Sequence, residues 1–295
     1  MNFLKSCLII IRSILFILFD SIALWNIKVP QGNRLKMVLL IRQDAIGDFI
    51  LWLDTAKEYR KYFPPEDYKI ILVGNELWFD LAKELPFWDE VLPVNVKAFK
   101  TLSFYRWEIL RKVRSFGADI AIQPTFSREF YHGDSLVRAS NASKKVSSEG
   151  NVSSRGQLKT ILADRWQTEL IPSTTEPLSE LERNAEFFSG FVKKLYLPSY
   201  PELEVSDDYN IHELEQKSFY VLSLGANKKY REWPYKYYAK IAQRIHNKTA
   251  WLGLICGAKN EFDLGENIKK ICDAPLQNLS LIHISEPTRR TPISY

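Results

Sequence analysis

Two carboxylates and a glycine follow the first strongly apolar run of the chain. Met37–Arg42 is typical of a buried parallel strand, and Gly47 and Asp48 open the helical pattern after it. Ligands of open α/β sheets bind at the carboxyl ends of strands, so Asp48 could act as a general base toward an attacking hydroxyl group. Gly47 leaves the backbone open to a ligand. The pattern alone slightly favours a helix cap for Asp48, and Asp44 competes for either role.

A basic loop far downstream could bind an anion. Asn227, Lys228, Lys229 and Arg231 lie between a predicted strand and a predicted helix whose first residue is Pro234. A helix N-terminus next to Lys or Arg is a ready anion site, and a diphosphate would fit it. The alternative is a set of solvated loop cations.

A third candidate is Glu261, which follows the predicted strand Thr249–Gly257 and a turn. An acid at this place can accept hydrogen bonds from a ribose. An acid in the first turn of a helix explains the residue equally well.

Several kinds of site are excluded by spacing. The four histidines are scattered without metal-ligand spacing, so no metal site is predicted. Neither a GxGxxG nor a GxxxxGK[ST] run occurs, which leaves nicotinamide chemistry and P-loop hydrolysis unsupported. The net charge of +5 is milder than nucleic-acid binding usually requires, so no nucleic-acid partner is predicted.

The composition indicates a globular protein of the cytoplasm. The 295 residues allow two domains, with 46% hydrophobic and 25% charged residues. The three cysteines are few, odd in number and far apart, which indicates a reducing compartment.

Residues 1–30 form a separate apolar segment. Arg12 and Asp20 interrupt its apolar runs, which makes a spanning helix costly. We favour a helix lying on the inner face of the membrane, with Trp25 and Lys28 suited to the interface. A true inner-membrane anchor and a helix packed on the protein itself remain as alternatives.

From Met37 onwards the pattern alternates between strands and helices, which predicts a parallel sheet covered on both faces. The predicted strands are Met37–Arg42, Tyr68–Gly74, Glu90–Asn95 and Ala118–Pro124. The predicted helices are Asp48–Tyr62, Glu76–Leu85, Leu102–Ser115 and Arg128–Ser140. Ala139–Gly156 is rich in Ser, Asn and Lys and is predicted to be a loop.

A second α/β unit follows a Pro-rich linker at Leu197–Asp208. Its predicted elements are the strands Ser218–Leu224 and Thr249–Gly257 and the helices Pro234–His246 and Asn260–Cys272. Residues 279–295 continue no pattern and resemble a translated adapter read-through, so we interpret them as a non-native tail. The alternative is an ordinary disordered tail.

Three motifs in this order resemble glycosyltransferase family 9, the family of the lipopolysaccharide heptosyltransferases. Asp44 to Phe49 is similar to the amino-terminal signature of the family. Leu224 through Arg231-Glu232-Trp233-Pro234 resembles its second-domain signature, and Gly257 to Glu261 resembles the following Gly-x-x-x-Glu element. The resemblance implies the GT-B architecture, in which two Rossmann-like domains face each other across a cleft. These would be an acceptor domain at 37–200 and the start of a nucleotide-sugar domain at 215–278.

The resemblance also implies roles for single residues. Asp48 would be the general base, and Arg231 would bind the donor diphosphate where the family usually has Lys. Ala226 and Asn227 would contact the phosphates, and Glu261 would contact the ribose. The turns at Gly47 and Gly225 would support the site.

One departure is a missing Asp-[Ser/Thr]-Gly…His segment that completes the donor site in the family. The second domain is therefore expected to be truncated, and the chain as written could be inactive.

The prediction is an inverting glycosyltransferase that moves heptose or a similar sugar from a nucleotide-diphosphate donor. The acceptor would be lipopolysaccharide or another lipid-linked surface glycan, and no cofactor or metal is expected. The alternatives are a degenerate glycan- or nucleotide-binding protein and a GT-B enzyme that uses another nucleotide sugar.

Overall fold

The computed structural model describes residues 3–29, 34–151, 156–203, 218–225 and 229–280. The chain divides into two compact units, residues 1–203 and residues 204–295. Each unit contains a parallel sheet flanked by helices.

The first unit is built on a six-stranded sheet in which every pair is parallel, in the order β3-β2-β1-β4-β5-β6. The strands are β1 (Lys36–Arg42), β2 (Tyr68–Asn75), β3 (Glu90–Val94), β4 (Ile120–Gln123), β5 (Lys144–Ser148) and β6 (Glu169–Ile171). The strand order reverses direction between β1 and β4. Ligands of such sheets bind at this switch point, beyond the carboxyl ends of the strands.

Eight α-helices of the first unit are described, together with a 3-10 turn at Glu76–Trp78 and a π-helical turn at Phe130–Asp134. The helices are α1 (Phe3–Ala23), α2 (Ile46–Tyr62), α3 (Phe79–Lys83), α4 (Val96–Phe99), α5 (Phe104–Ser115), α6 (Ser135–Ser140), α7 (Gln157–Asp164) and α8 (Glu180–Val192).

The core on one face of the sheet is rich in aromatic rings. Phe49 of α2 stacks on Trp78 with ring centroids 3.9 Å apart, and Trp52 stacks on Trp88 at 6.0 Å. All four rings are buried. This packing fixes the first turn of α2, and therefore Asp48, relative to the end of β1.

The second unit has a three-stranded parallel sheet in the order β7-β8-β9. Its strands are β7 (Phe219–Ser223), β8 (Leu252–Cys256) and β9 (Leu276–Asn278), and its helices are α9 (Tyr235–Thr249) and α10 (Phe262–Lys270). Most of the predicted tail, residues 281–295, lies outside the described residues.

The structure corrects several predicted elements. The predicted loop Ala139–Gly156 contains β5, because the sheet buries its last three residues between two neighbours although their sequence is Val-Ser-Ser. The predicted helix Arg128–Ser140 begins instead with the π-helical turn, and the predicted helix Glu76–Leu85 is a 3-10 turn followed by the short α3. Pro234 precedes α9 with extended backbone instead of being its first residue.

Helix α1 packs on the first unit through a partly polar stripe. Ser13, Phe16, Asp20 and Ala23 are buried at helical spacing. Asp20 accepts hydrogen bonds from Arg106 Nε at 2.7 Å and from a terminal nitrogen of Arg106 at 2.6 Å. The opposite face is apolar and exposed, through Leu8, Ile11, Ile14, Leu15, Leu18 and Ile22. Within the described ranges, no helix combines the length and apolarity that a membrane crossing requires.

Candidate active site

Asp48 lies in the first turn of α2, just beyond the carboxyl end of β1. The residue that caps this helix, Ala45, has no side-chain capping bond, and within the described residues the Asp48 carboxylate has neither a hydrogen bond nor an ion pair. Among the described residues, no capping hydrogen bond supports the helix-cap alternative. The carboxylate therefore remains available for a ligand. A Cβ added to Gly47 would meet nothing within 4 Å, so the turn before Asp48 faces open space.

The turn around Asp48 is held by Arg42, whose side chain is fully buried. Arg42 Nε lies 2.9 Å from Asp44 Oδ2, as an ion pair without hydrogen-bond geometry. The terminal nitrogens donate to Glu180 Oε1 at 2.5 Å and to Asn184 Oδ1 at 2.7 Å, and one also donates to the backbone carbonyl of Asp48 at 3.3 Å. The guanidinium thus connects β1, the Asp48 turn and α8.

The surroundings of this cluster raise the pKa of two carboxyl groups. Partial burial raises the pKa of the Asp48 carboxyl, the Asp44 carboxylate raises it further, and Arg42 opposes both effects. Burial also raises the pKa of Glu180, against the attraction of Arg42. An elevated pKa makes the Asp48 carboxylate a stronger proton acceptor than an ordinary aspartate.

Arg42, Glu180 and Asn184 were missed by the sequence analysis. Arg42 is the charged last residue of an otherwise apolar run, which was interpreted only as a strand. Glu180 and Asn184 lie on α8, a helix that was not predicted. Its signal was present, since Ser179 and Glu182 form a reciprocal capping box at its start.

In the second unit the structure brings Glu261 and Gly225 together. A Cβ on Gly225 would collide with Glu261 Oε1, and one on Gly257 would lie 2.6 Å from Glu261 Oε2. The Glu261 carboxylate therefore lies over the carboxyl ends of β7 and β8. It accepts a hydrogen bond from the backbone nitrogen of Ala258 at 2.7 Å.

Arg231 ends a 3-10 turn at Lys229–Arg231 and is exposed. Its guanidinium lies 5.7 Å from the ring centroid of Tyr230. Trp233 packs on the first turns of α9, with its ring centroid 5.6 Å from that of Tyr237. Ala226 and Asn227, the other predicted donor residues, lie outside the described residues.

The described part of the chain contains no group of three His, Cys, Asp or Glu side chains that could hold a metal ion.

Comparison with known proteins gives a match to one family model and a shared fold. Residues 136–281 match the family model described as glycosyltransferase family 9 (heptosyltransferase). A comparison with curated protein sequences finds no match.

Solved structures match most of the chain. The E. coli ADP-heptose lps heptosyltransferase II has a TM-score of 0.59 at 14% identity, with 84% of this chain and 73% of that chain covered. The glycosyl transferase family 9 from Veillonella parvula DSM 2008 has a TM-score of 0.64 at 13% identity, covering 83% and 68%. E. coli heptosyltransferase WaaC with ADP-2-deoxy-2-fluoro heptose has a TM-score of 0.61 at 14% identity, covering 83% and 78%.

At these identities the structural likeness establishes the fold alone. The chain is an α/β protein of the GT-B class, as predicted. The resemblance to glycosyltransferase family 9, the heptosyltransferase family, is confirmed, and it supports a glycosyltransferase.

Proposed function

We propose that the protein is an inverting glycosyltransferase whose general base is Asp48. The observation that carries the proposal is the Asp48 carboxylate itself, which stands beyond β1 without a partner among the described residues and with a raised pKa. In the proposed step, an acceptor hydroxyl gives its proton to Asp48 and its oxygen bonds to the anomeric carbon of the donor. The bond from that carbon to the diphosphate breaks, and the nucleoside diphosphate leaves with the electron pair.

The leaving group needs stabilisation, because negative charge develops on it as the bond breaks. Arg231 is proposed to bind the diphosphate, together with Ala226 and Asn227, and Glu261 is proposed to bind the ribose. An arginine at this place holds its positive charge at any working pH and can contact two phosphate oxygens at once. The proposal also draws on two structural neighbours, which are described as an ADP-heptose enzyme and as a complex with an ADP-heptose analogue.

The substrates proposed are a nucleotide-diphosphate heptose or similar sugar and a lipopolysaccharide or other lipid-linked surface glycan. The test incubates the full chain with a panel of nucleotide sugars and lipid-linked acceptors and identifies products by mass. A product whose mass increases by one sugar, with inverted anomeric configuration by NMR, supports the proposal. Nucleotide binding with no product from any pair contradicts it and favours the degenerate binding protein.

Removing the Glu261 carboxylate should weaken donor binding. We expect Glu261→Gln to raise the Kd for ADP or UDP about tenfold, the size of one charged hydrogen bond lost. Gly225→Ala should do the same with little loss of stability, because the added Cβ displaces only the end of a flexible side chain. Calorimetric titration measures both.

The matched control is Glu266→Gln, which removes an acid from α10 that hydrogen-bonds Asn278 instead of lying over Gly225. Its Kd should equal that of the wild type. Unchanged nucleotide binding in Glu261→Gln would remove this residue from the donor site.

We also propose that the apolar face of α1 lies on the inner membrane surface, where a lipid-linked acceptor would be met. The helix turns its partly polar stripe toward the protein and leaves large apolar side chains outside, the reverse of an ordinary surface helix. Arg12 within α1 and Lys28 after its end are exposed and would attract anionic headgroups.

Charged substitutions on this face should abolish membrane binding. We expect the double variant Leu18→Glu and Ile22→Glu to stop co-sedimenting with vesicles of phosphatidylethanolamine and phosphatidylglycerol, which the wild type binds. Leu195→Glu is the control, because Leu195 is also exposed and follows the end of α8 instead of lying on α1. Equal sedimentation of all three proteins, or none from the wild type, would contradict the proposal.

A further inference from the structure

A cavity of about 210 Å³ lies at the switch point of the six-stranded sheet. Its walls come from the ends of β1 and β4, from the α4 region and from the segment 127–133. Of the residues that line it, the sequence analysis singled out only Asp44. Asp44 borders the cavity and is also close enough to Asp48 to raise its pKa, so the cavity adjoins the proposed base.

Two side chains that line the cavity, Gln43 and His132, have buried polar atoms without hydrogen-bond partners in the described part of the chain. These atoms are Oε1 of Gln43 and both ring nitrogens of His132. The two side chains are only 7% and 8% exposed. Glu129 Oε2, at 3.7 Å from His132 Nε2, is beyond hydrogen-bond distance. Native proteins rarely leave buried polar atoms unpaired, so these atoms together indicate a ligand.

His132 offers one donor and one acceptor, because its ring is neutral. Burial lowers the pKa of His132 to about 3, and the charges of Lys100 and Arg106 contribute. Gln43 offers its unpaired oxygen as an acceptor, while its amide nitrogen donates one hydrogen bond to the Val73 carbonyl at 2.8 Å. The polar lining therefore pairs with a group that both donates and accepts hydrogen bonds, as hydroxyl groups do.

The rest of the lining suits a sugar ring. Ile41 and Val96 offer apolar surface for C–H groups. The lining also contains one positive charge, on Lys100, and two negative charges, on Asp44 and Glu129. The volume lies below the range of about 300–1,000 Å³ typical of drug-sized ligands, and a single ring is the matching size. Gly133 packs closely on the Gln123 side-chain amide, since a Cβ there would collide with it.

We propose that this cavity holds one hydroxylated sugar ring of the acceptor glycan, through hydrogen bonds to His132 and Gln43. That this ring belongs to the acceptor rests on the proposed glycosyl transfer, whereas the binding of a sugar ring in the cavity does not depend on it. His132 is then a specificity-determining residue, and a ring held here presents a neighbouring hydroxyl toward the Asp44–Asp48 turn.

The first test measures ring binding without any donor. Methyl glycosides of glucose, galactose and mannose are titrated into the full chain, and binding is followed by saturation-transfer NMR. We expect a signal with at least one glycoside from the wild type and from Asp48→Asn. His132→Phe, which keeps a flat ring without nitrogens, should weaken binding tenfold or more, and His132→Gln should restore part of it.

A second measurement remains informative if His132→Phe does not fold. In the wild type labelled with ¹⁵N-histidine, the bound glycoside should shift the ring nitrogens of His132 and leave those of the exposed His246 unchanged. The absence of glycoside binding, or binding that leaves both His132 signals and the His132→Phe affinity unchanged, overturns the inference.

Transfer kinetics separate this inference from the proposed function. With an active donor–acceptor pair, His132→Phe should raise the acceptor KM tenfold or more and leave the donor KM unchanged. If glycosides bind at His132 but no donor–acceptor pair gives a product, the proposed transferase function is contradicted and the sugar-ring site is supported. If transfer depends on Asp48 while His132→Phe leaves the acceptor KM unchanged, the ring site fails and the transferase stands.

Discussion

Asp48→Asn is expected to reduce the rate of sugar transfer by about 10²–10⁴-fold, the usual contribution of a general base. Asparagine keeps the size of the side chain but cannot accept a proton from the acceptor hydroxyl. Because the Asp48 carboxylate has no partner among the described residues and burial raises its pKa, its loss should not lower the free energy of unfolding, and the donor Kd should stay unchanged. The measurement is kcat with saturating donor and acceptor, beside nucleotide titration.

The matched control is Asp80→Asn, which removes a half-buried carboxylate that pairs with Lys83 on α3. It should transfer at the wild-type rate. Wild-type rates from Asp48→Asn would remove Asp48 from the mechanism and leave Asp44 as the acid to examine.

The second large effect is on stability. Asp20→Asn is expected to reduce the free energy of unfolding of the first unit by about 3–5 kcal/mol, the cost of leaving a buried charge uncompensated. Arg106 is fully buried and donates to both Asp20 oxygens, to the Phe99 and Tyr131 carbonyls and to Ser135. Without the carboxylate its charge has no opposite partner at this contact. Urea unfolding followed by the fluorescence of the buried tryptophans measures the loss.

Two variants test this reasoning. Glu58→Gln removes an exposed i,i+3 pair with Lys61 and should cost less than about 1 kcal/mol. The double variant Asp20→Leu and Arg106→Met should regain much of the stability lost in Asp20→Asn, because it removes both charges together. A loss below about 1 kcal/mol in Asp20→Asn would show that the pair does not fasten α1.

The first strand and helix could be predicted because a short apolar run followed by a helical pattern is typical of a buried parallel strand and the helix after it. β5 could not, because Lys144–Ser148 is as polar as a loop and becomes a strand only between two parallel neighbours. Burial there is decided by the rest of the sheet.

The acidic residues of the candidate site could be named from the sequence, but the side chains that contact them could not. Asp48 and Glu261 follow predicted strands, which made them candidates beside the helix-cap alternative, whereas Gly225 came from the family resemblance. The partner of Arg42 is Glu180, 138 residues away, and such a contact leaves no local pattern. The same is true of His132, whose importance comes from burial beside a cavity rather than from spacing to other histidines.

The most direct test of Asp48 as the base is the pH dependence of kcat in the wild type and in Asp44→Asn. A base must be ionised, so kcat falls as the pH drops through its pKa, and the raised pKa of Asp48 places this fall above the ordinary aspartate range. Asp44→Asn removes a like charge, so the account predicts that the acid limb moves to lower pH. An acid limb that stays in place or moves to higher pH in Asp44→Asn would contradict it.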